Sequence, residues 1–183
     1  MKKIFYSALL IISTLSYSQN FVVTPNGLKN AEDVEKSFVV IPVEGKTAKQ
    51  IYDDMIKYVN KNYKGGEEVI KGRTEGEYLK FKTYAPNFAS LKNGWTKVNL
   101  KAEYTTELSF KDGKVKYEII DLKMISDANY ELFFTGGGMT FFIYNKNGDL
   151  KREETKVEIE KYFNNNIESI SNYLKGKVVE DKW

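Results

Sequence analysis

The acidic pairs Asp53-Asp54, Glu67-Glu68 and Glu153-Glu154 are where a carboxylate-only catalyst would be sought in this sequence. A hydrolase of glycans or peptides built on them needs two acids facing each other across a cleft. Adjacent residues on a helix point to different sides, so all three pairs read as solvated surface. The chain has no histidine and no cysteine. That removes the commonest general base, the usual zinc and copper ligands, and every thiol or Ser-His nucleophile pair. Asn145 to Asp149 superficially suggests a calcium loop, but it lacks the Asp-x-Asp spacing and distal Glu of an EF-hand and reads as a hairpin turn. Gly136-Gly137-Gly138 could cradle an anion through backbone N–H groups. With no Lys-Ser/Thr and no helix after it, the triplet reads instead as a connection between strands. The expectation is a protein that is not an enzyme and carries no cofactor and no metal.

Binding is the remaining class, and its candidates are aromatic. Phe88 and Trp95 fall in one interruption of the strand pattern; Phe133, Phe134 and Phe141, with Met139, surround the triple glycine. Such residues either fill the core or form a patch that meets another protein or a small apolar ligand. Lys80, Lys82, Lys97 and Lys101 suggest a basic stripe, but interleaved Glu103 and Glu107 make a plain solvated face the better reading. Leaving out the two lysines near the N-terminus, 26 cations balance 25 anions. A balance so close to neutral argues against a nucleic-acid partner.

The element that must position everything else is a long hairpin over Lys97 to Ile125. From Val98 to Phe110 alternate residues are apolar or semi-apolar, and those between them are polar. Asp112-Gly113 supplies the turn, setting Phe110 opposite Val115, Leu108 opposite Tyr117 and Thr106 opposite Ile119. A slip at Ile119-Ile120 predicts a β-bulge, beyond which Ala102 meets Met124 and Glu103 meets Lys123.

Around that hairpin, Asn20 to Glu35 is polar after Phe21-Val22-Val23, with a turn at Pro25-Asn26-Gly27. Ser37 to Val43 suits a strand buried on both faces. Thr47 and Gln50 form a capping box for a helix to about Asn62. Strands follow at Glu68–Arg73 and Glu77–Tyr84, then a long loop from Ala85 to Trp95. Beyond the hairpin, strands flank the triple glycine, and Asn147-Gly148 turns into a short strand. Thr155 and Glu158 make a second capping box, and Ile159, Phe163, Ile167, Ile170 and Leu174 line one face of a long C-terminal helix. A tail follows from Lys177. The fold class is α+β: a curved antiparallel sheet with a long central hairpin, packed against two helices.

Lys2-Lys3, the apolar run Ile4 to Leu15 and the small residues at Ser16-Tyr17-Ser18 read as an export signal over residues 1–18. Its apolar run is too short to span a bilayer, and no later segment approaches that length, so no transmembrane span follows signal removal. Residues 19–183 are read as one domain with its core over about 36–175, exported to the periplasm or the extracellular space.

The turn Thr24-Pro25-Asn26-Gly27, the strand Ser37 to Val43, the helix opening Gly45-Lys46-Thr47-Ala48 and the tip Lys111-Asp112-Gly113-Lys114 occur together in that order. In this the chain resembles a family of exported bacterial domains of unknown function with a TATA-binding-protein-like fold. The resemblance covers about Phe21 to Leu174. It implies a fold and no catalytic residues, and the fold name carries no implication of DNA binding. The function expected is a non-enzymatic protein-interaction module of the cell envelope or secreted fraction. The alternative is a carrier of a small hydrophobic ligand between sheet and C-terminal helix.

Overall fold

The computed structural model describes residues 19–93 and 96–177. The export signal, Trp95 and the end of the tail therefore lie outside the described residues. In chain order, β1 (Phe21–Thr24) and β2 (Gly27–Asn30) make a small hairpin, and β3 (Phe38–Pro42) leads into α1 (Ala48–Asn62). A 3-10 turn at Gly66–Val69 precedes β4 (Ile70–Thr74), β5 (Tyr78–Asn93), β6 (Thr96–Lys111) and β7 (Lys114–Ser126). Then come β8 (Glu131–Gly136), β9 (Phe141–Asn145) and α2 (Glu153–Leu174).

The period-two stretch is the middle of a mostly antiparallel sheet of order β4-β5-β6-β7-β8-β9, and β3 pairs with β7 beside β8. Phe110, Leu108 and Thr106 stand opposite Val115, Tyr117 and Ile119, as the alternation requires. The bulge lies slightly beyond its expected place. Asp121 takes φ 53° there, and the register shifts between Glu103 and Thr105. Gly113, at φ 75°, provides the left-handed residue of the tip. That tip is stitched to α1: Asp112 Oδ1 accepts from the Ala48 N–H at 2.8 Å, and the Gly113 N–H donates to the Lys46 carbonyl at 2.9 Å. Thr47 and Gln50 complete the capping box.

Both helices pack on the sheet's apolar face. Ile159, Phe163, Ile167, Ile170 and Leu174 are at most 1% exposed, as are Leu100 and Leu108 on β6. Phe163 lies at the centre, with ring centroids 5.3–6.4 Å from those of Phe21, Phe88, Tyr104 and Tyr162. Phe21, Val23 and Leu28 of the first hairpin also join the core. Further bulges, between β4 and β5 and between β5 and β6, add bend and twist to the sheet.

Several elements differ from the expectation. Of the predicted Ala85–Trp95 loop, the described residues to Asn93 are strand: β5 passes Pro86 by a bulge between Ala85 and Ala89 and stays paired with β6 to Asn93. Proline is compatible with a strand at such a bulge, where no ladder bond is needed. β3 buries only alternate residues, Val39 and Ile41, and so is half-buried. The polar stretch before it holds the β1–β2 hairpin. β8 and β9 pair in parallel across a connection of only Gly137 to Thr140, far shorter than the dozen residues such a crossover usually takes. Gly136 has no room for a side chain: a Cβ there would lie 2.9 Å from Thr140 Oγ1 and 3.0 Å from Phe142 Cβ. The strand predicted after Asn147-Gly148 is a single bridge, Tyr144 to Leu150. Finally, Thr155 and Glu158 do not cap α2, which starts at Glu153 after Arg152.

Candidate interaction surface

The side chains that could do chemistry are dispersed and paired with cations. Asp53 bonds Lys49 at 2.9 Å, Asp54 bonds Lys46 at 2.7 Å, Glu67 bonds Arg73 at 2.8 Å and Glu154 bonds Lys92 at 3.2 Å. Among the described residues, no cluster of three or more carboxylates could hold a metal ion. The lysines of the wet sheet face are matched in the same way. Lys80 meets Glu107, Lys82 meets Glu103, Lys101 meets Asp127 and Lys97 meets Glu158, all within 3.1 Å.

Tyrosines make the main buried polar contacts. The Tyr104 and Tyr162 hydroxyls lie 3.0 Å apart, and Tyr58 meets the Ser169 hydroxyl at 3.0 Å. Burial pushes the Tyr104 and Tyr117 phenols well above the ordinary tyrosine range. They stay protonated at neutral pH and serve as packing with a polar tip.

The six residues singled out from the sequence do not form one group. Phe88 is 3% exposed and packs edge-on against Tyr162, centroids 4.8 Å apart, so it is core. Trp95 lies outside the described residues. Phe134 is partly buried against the core, with its ring close to Gly27. Phe133, Met139 and Phe141 belong to the β8–β9 end. There Phe133 is 41% exposed, Met139 is fully exposed, and Phe141 is half-buried.

Two further side chains at this end escaped the sequence reading. Tyr130, 59% exposed, packs edge-on against Phe141 with centroids 5.5 Å apart. The Arg152 guanidinium lies over the same ring at 5.5 Å. Arg152 is fixed by its bonds to the Phe142 and Lys92 carbonyls, and burial lowers its pKa from the usual value. The aromatic pair could have been suspected from Tyr130 opening a strand, but the cation is brought in by the fold.

This end is held from behind. Thr135 Oγ1 donates to the Pro25 carbonyl at 2.6 Å, and the Tyr144 hydroxyl donates to the Val23 carbonyl at 2.8 Å, fastening β8 and β9 to the first hairpin. Thr140 Oγ1 donates back to the Gly137 carbonyl, shaping the connection that carries Met139. The result is a braced end with Tyr130, Phe141 and Arg152 on one side of the sheet and Phe133, paired with Phe142, on the other.

No family model matches the chain, and no curated protein matches it. Among solved structures it is similar to a DUF4468 family protein from Bacteroides ovatus ATCC 8483, with 14% identity and a TM-score of 0.50 over 80% of this chain and 91% of that one. At that identity the likeness is one of fold, and the chain shares its architecture with a bacterial domain of unknown function.

Proposed function

We propose that the protein is an exported, non-enzymatic binding domain, of the TATA-binding-protein-like type, that engages another envelope or secreted protein through its β8–β9 end. The observation that carries this reading is the exposure of Tyr130 and Met139 at a braced end of the sheet, with Arg152 stacked on Tyr130's partner Phe141 and Phe133 exposed on the opposite face. Aromatic residues, methionine and arginine are the types enriched where proteins meet. The alternative, a carrier of a small apolar ligand between sheet and α2, would place its ligand where Phe163 already meets four aromatic rings.

A photo-crosslinking residue at position 139, expressed in the native host, tests the reading. A reproducible adduct with one envelope or secreted protein, absent when the probe replaces exposed Val157 on α2, supports it. Equal labelling from both positions, or none from 139, removes it. The intact mass of the exported form should correspond to a chain starting at Gln19.

A further inference from the structure

The sheet has one strand whose outer edge is covered at both ends and open between. β4 pairs with β5 only from Thr74 opposite Tyr78 to Ile70 opposite Phe81, whereas β5 continues to Asn93. Upstream of Ile70 the chain turns away, because Gly65 and Gly66, at φ 93° and 41°, start the 3-10 turn. At the far end α2 takes over the same edge. Glu158 accepts from the Ser90 N–H at 2.6 Å, Thr155 donates to the Ser90 carbonyl at 2.8 Å, and Arg152 donates to the Lys92 carbonyl at 2.8 Å.

Between these covers, Lys82 to Ala85 pairs with β6 on one side and has, among the described residues, no strand on the other, and Pro86 opens the bulge. An open cleft of about 720 Å³ runs beside that stretch, lined by Tyr63, Val69, Thr83, Tyr84 and Pro86 together with the charged Lys64, Glu68, Lys71, Lys82 and Glu103. Its volume is that of a ligand site. Thr83 is 7% exposed, and its hydroxyl has no hydrogen-bond partner of good geometry, with the Tyr63 phenol beside it.

We infer that the cleft beside Lys82–Pro86 is a strand-addition site for an extended peptide segment of a partner protein. The alternating N–H and C=O groups of a strand edge are matched by another extended backbone. Pro86 has no N–H and ends the register, which leaves about 16 Å of edge at ~3.3 Å per residue, enough for four or five residues. Side chains of the added strand alternate between the Tyr63–Val69 floor and the exposed Tyr84 ring. Lys82 is already matched by Glu103, and Lys71 donates to the Glu68 carbonyl. Selection rests first on an apolar side chain at the Tyr63–Val69 floor, with Lys64, Glu68 and Lys71 lining the same cleft. This edge belongs to β5, three strands away from β8, so the inference stands apart from the aromatic end.

The test uses the full chain and a displayed library of random eight-residue peptides. Enriched peptides, resynthesised, should slow hydrogen exchange of the lane-facing amides within Lys82–Ala85 at least ~tenfold at saturation. N-methylation at alternate residues on the pairing edge should weaken binding ~tenfold or more, and on the other edge little, since it removes backbone donors selectively. Four outcomes overturn the inference: no enriched peptide, peptides that protect β8–β9 instead, indifference to the position of N-methylation, or a concentration-dependent dimer protecting the same amides. The last assigns the edge to a second copy of this chain.

Discussion

At the scale of single residues, the polar flanks of α2 are as informative as its apolar stripe. Asn164 bonds Phe21 through both atoms of its amide, accepting from the N–H at 2.8 Å and donating to the carbonyl at 3.0 Å, as a neighbouring strand would. Phe21 is buried, so Asn164→Ala strands two backbone groups and should cost about 2 kcal/mol in urea unfolding. Glu158 accepts from the Ser90 N–H in the same way, while Thr155 donates to its carbonyl; the Glu158 carboxyl is the titratable partner. Burial pushes its carboxyl up, but the Ser90 hydroxyl, Lys97 and the Ser90 N–H outweigh that and hold it below its ordinary value of 4.5. Glu118 behaves alike, with burial opposed by Lys116 and Ser37. A depressed carboxyl stabilises the fold above its unfolded pKa, and that contribution is lost as pH falls through the folded one. Urea midpoints should therefore hold steady from neutral pH to about pH 5 and decline below it. Glu158→Gln should lower the midpoint at pH 7 and make the decline shallower; an unchanged acid limb would remove Glu158 from this role. Thr155-x-x-Glu158 matches a capping box by spacing, and spacing alone does not reveal that Ser90, far away in sequence, competes for both side chains.

At the scale of elements, the hairpin was legible because two independent signals agreed, the alternation of Val98 to Phe110 and the Asp112-Gly113 turn. What the alternation does not encode is the third role of that tip, closing the first turn of α1. Asp112→Ala removes the acceptor for the Ala48 N–H and should destabilise the protein by about 1 kcal/mol, within the usual range for caps. Loss of helix signal at lower urea concentrations than loss of tyrosine fluorescence would show α1 loosening first. Pro86 hid the second half of β5, because a proline in a strand pattern ordinarily signals a break, and only the pairing with β6 shows it seated at a bulge. The triple glycine was read as a connection, and Gly137 and Gly138 belong to one, but Gly136 ends β8, and the parallel return of β9 depends on its contact with Phe142, a tertiary fact. α2 itself was plain from Ile159 to Leu174 because a 3.6-residue apolar period has few other readings. Phe163→Ala at its centre should cost ~3–5 kcal/mol by leaving a cavity among four rings.

At the scale of the whole molecule, the side chains divide by role. Aromatic residues facing inward, Phe21, Phe88, Tyr104, Tyr117 and Phe163 among them, build the core that a chain without disulfides needs. Tyr130 and Phe133, at the β8–β9 end, stay exposed although the fold has an interior for such side chains. The sequence offered both groups together, since Phe88 and Phe133 each sit near a glycine or proline in an irregular stretch. Only the placement of β5 against α2, and of β8 at the end of the sheet, separates core from surface. No described helix is long and apolar enough to cross a membrane, and Lys80, Lys82 and Lys101 of the wet sheet face are matched by carboxylates; the proposed function rests on the ring-bearing end. The most direct measurement is the affinity of the crosslinked partner for the wild-type chain and for the double variant Phe133→Ser, Met139→Ser, with melting temperatures taken alongside. Affinity reduced ~30-fold or more, as for two central contacts of an interface, with an unchanged melting temperature, is the predicted result. Undiminished affinity would contradict the account.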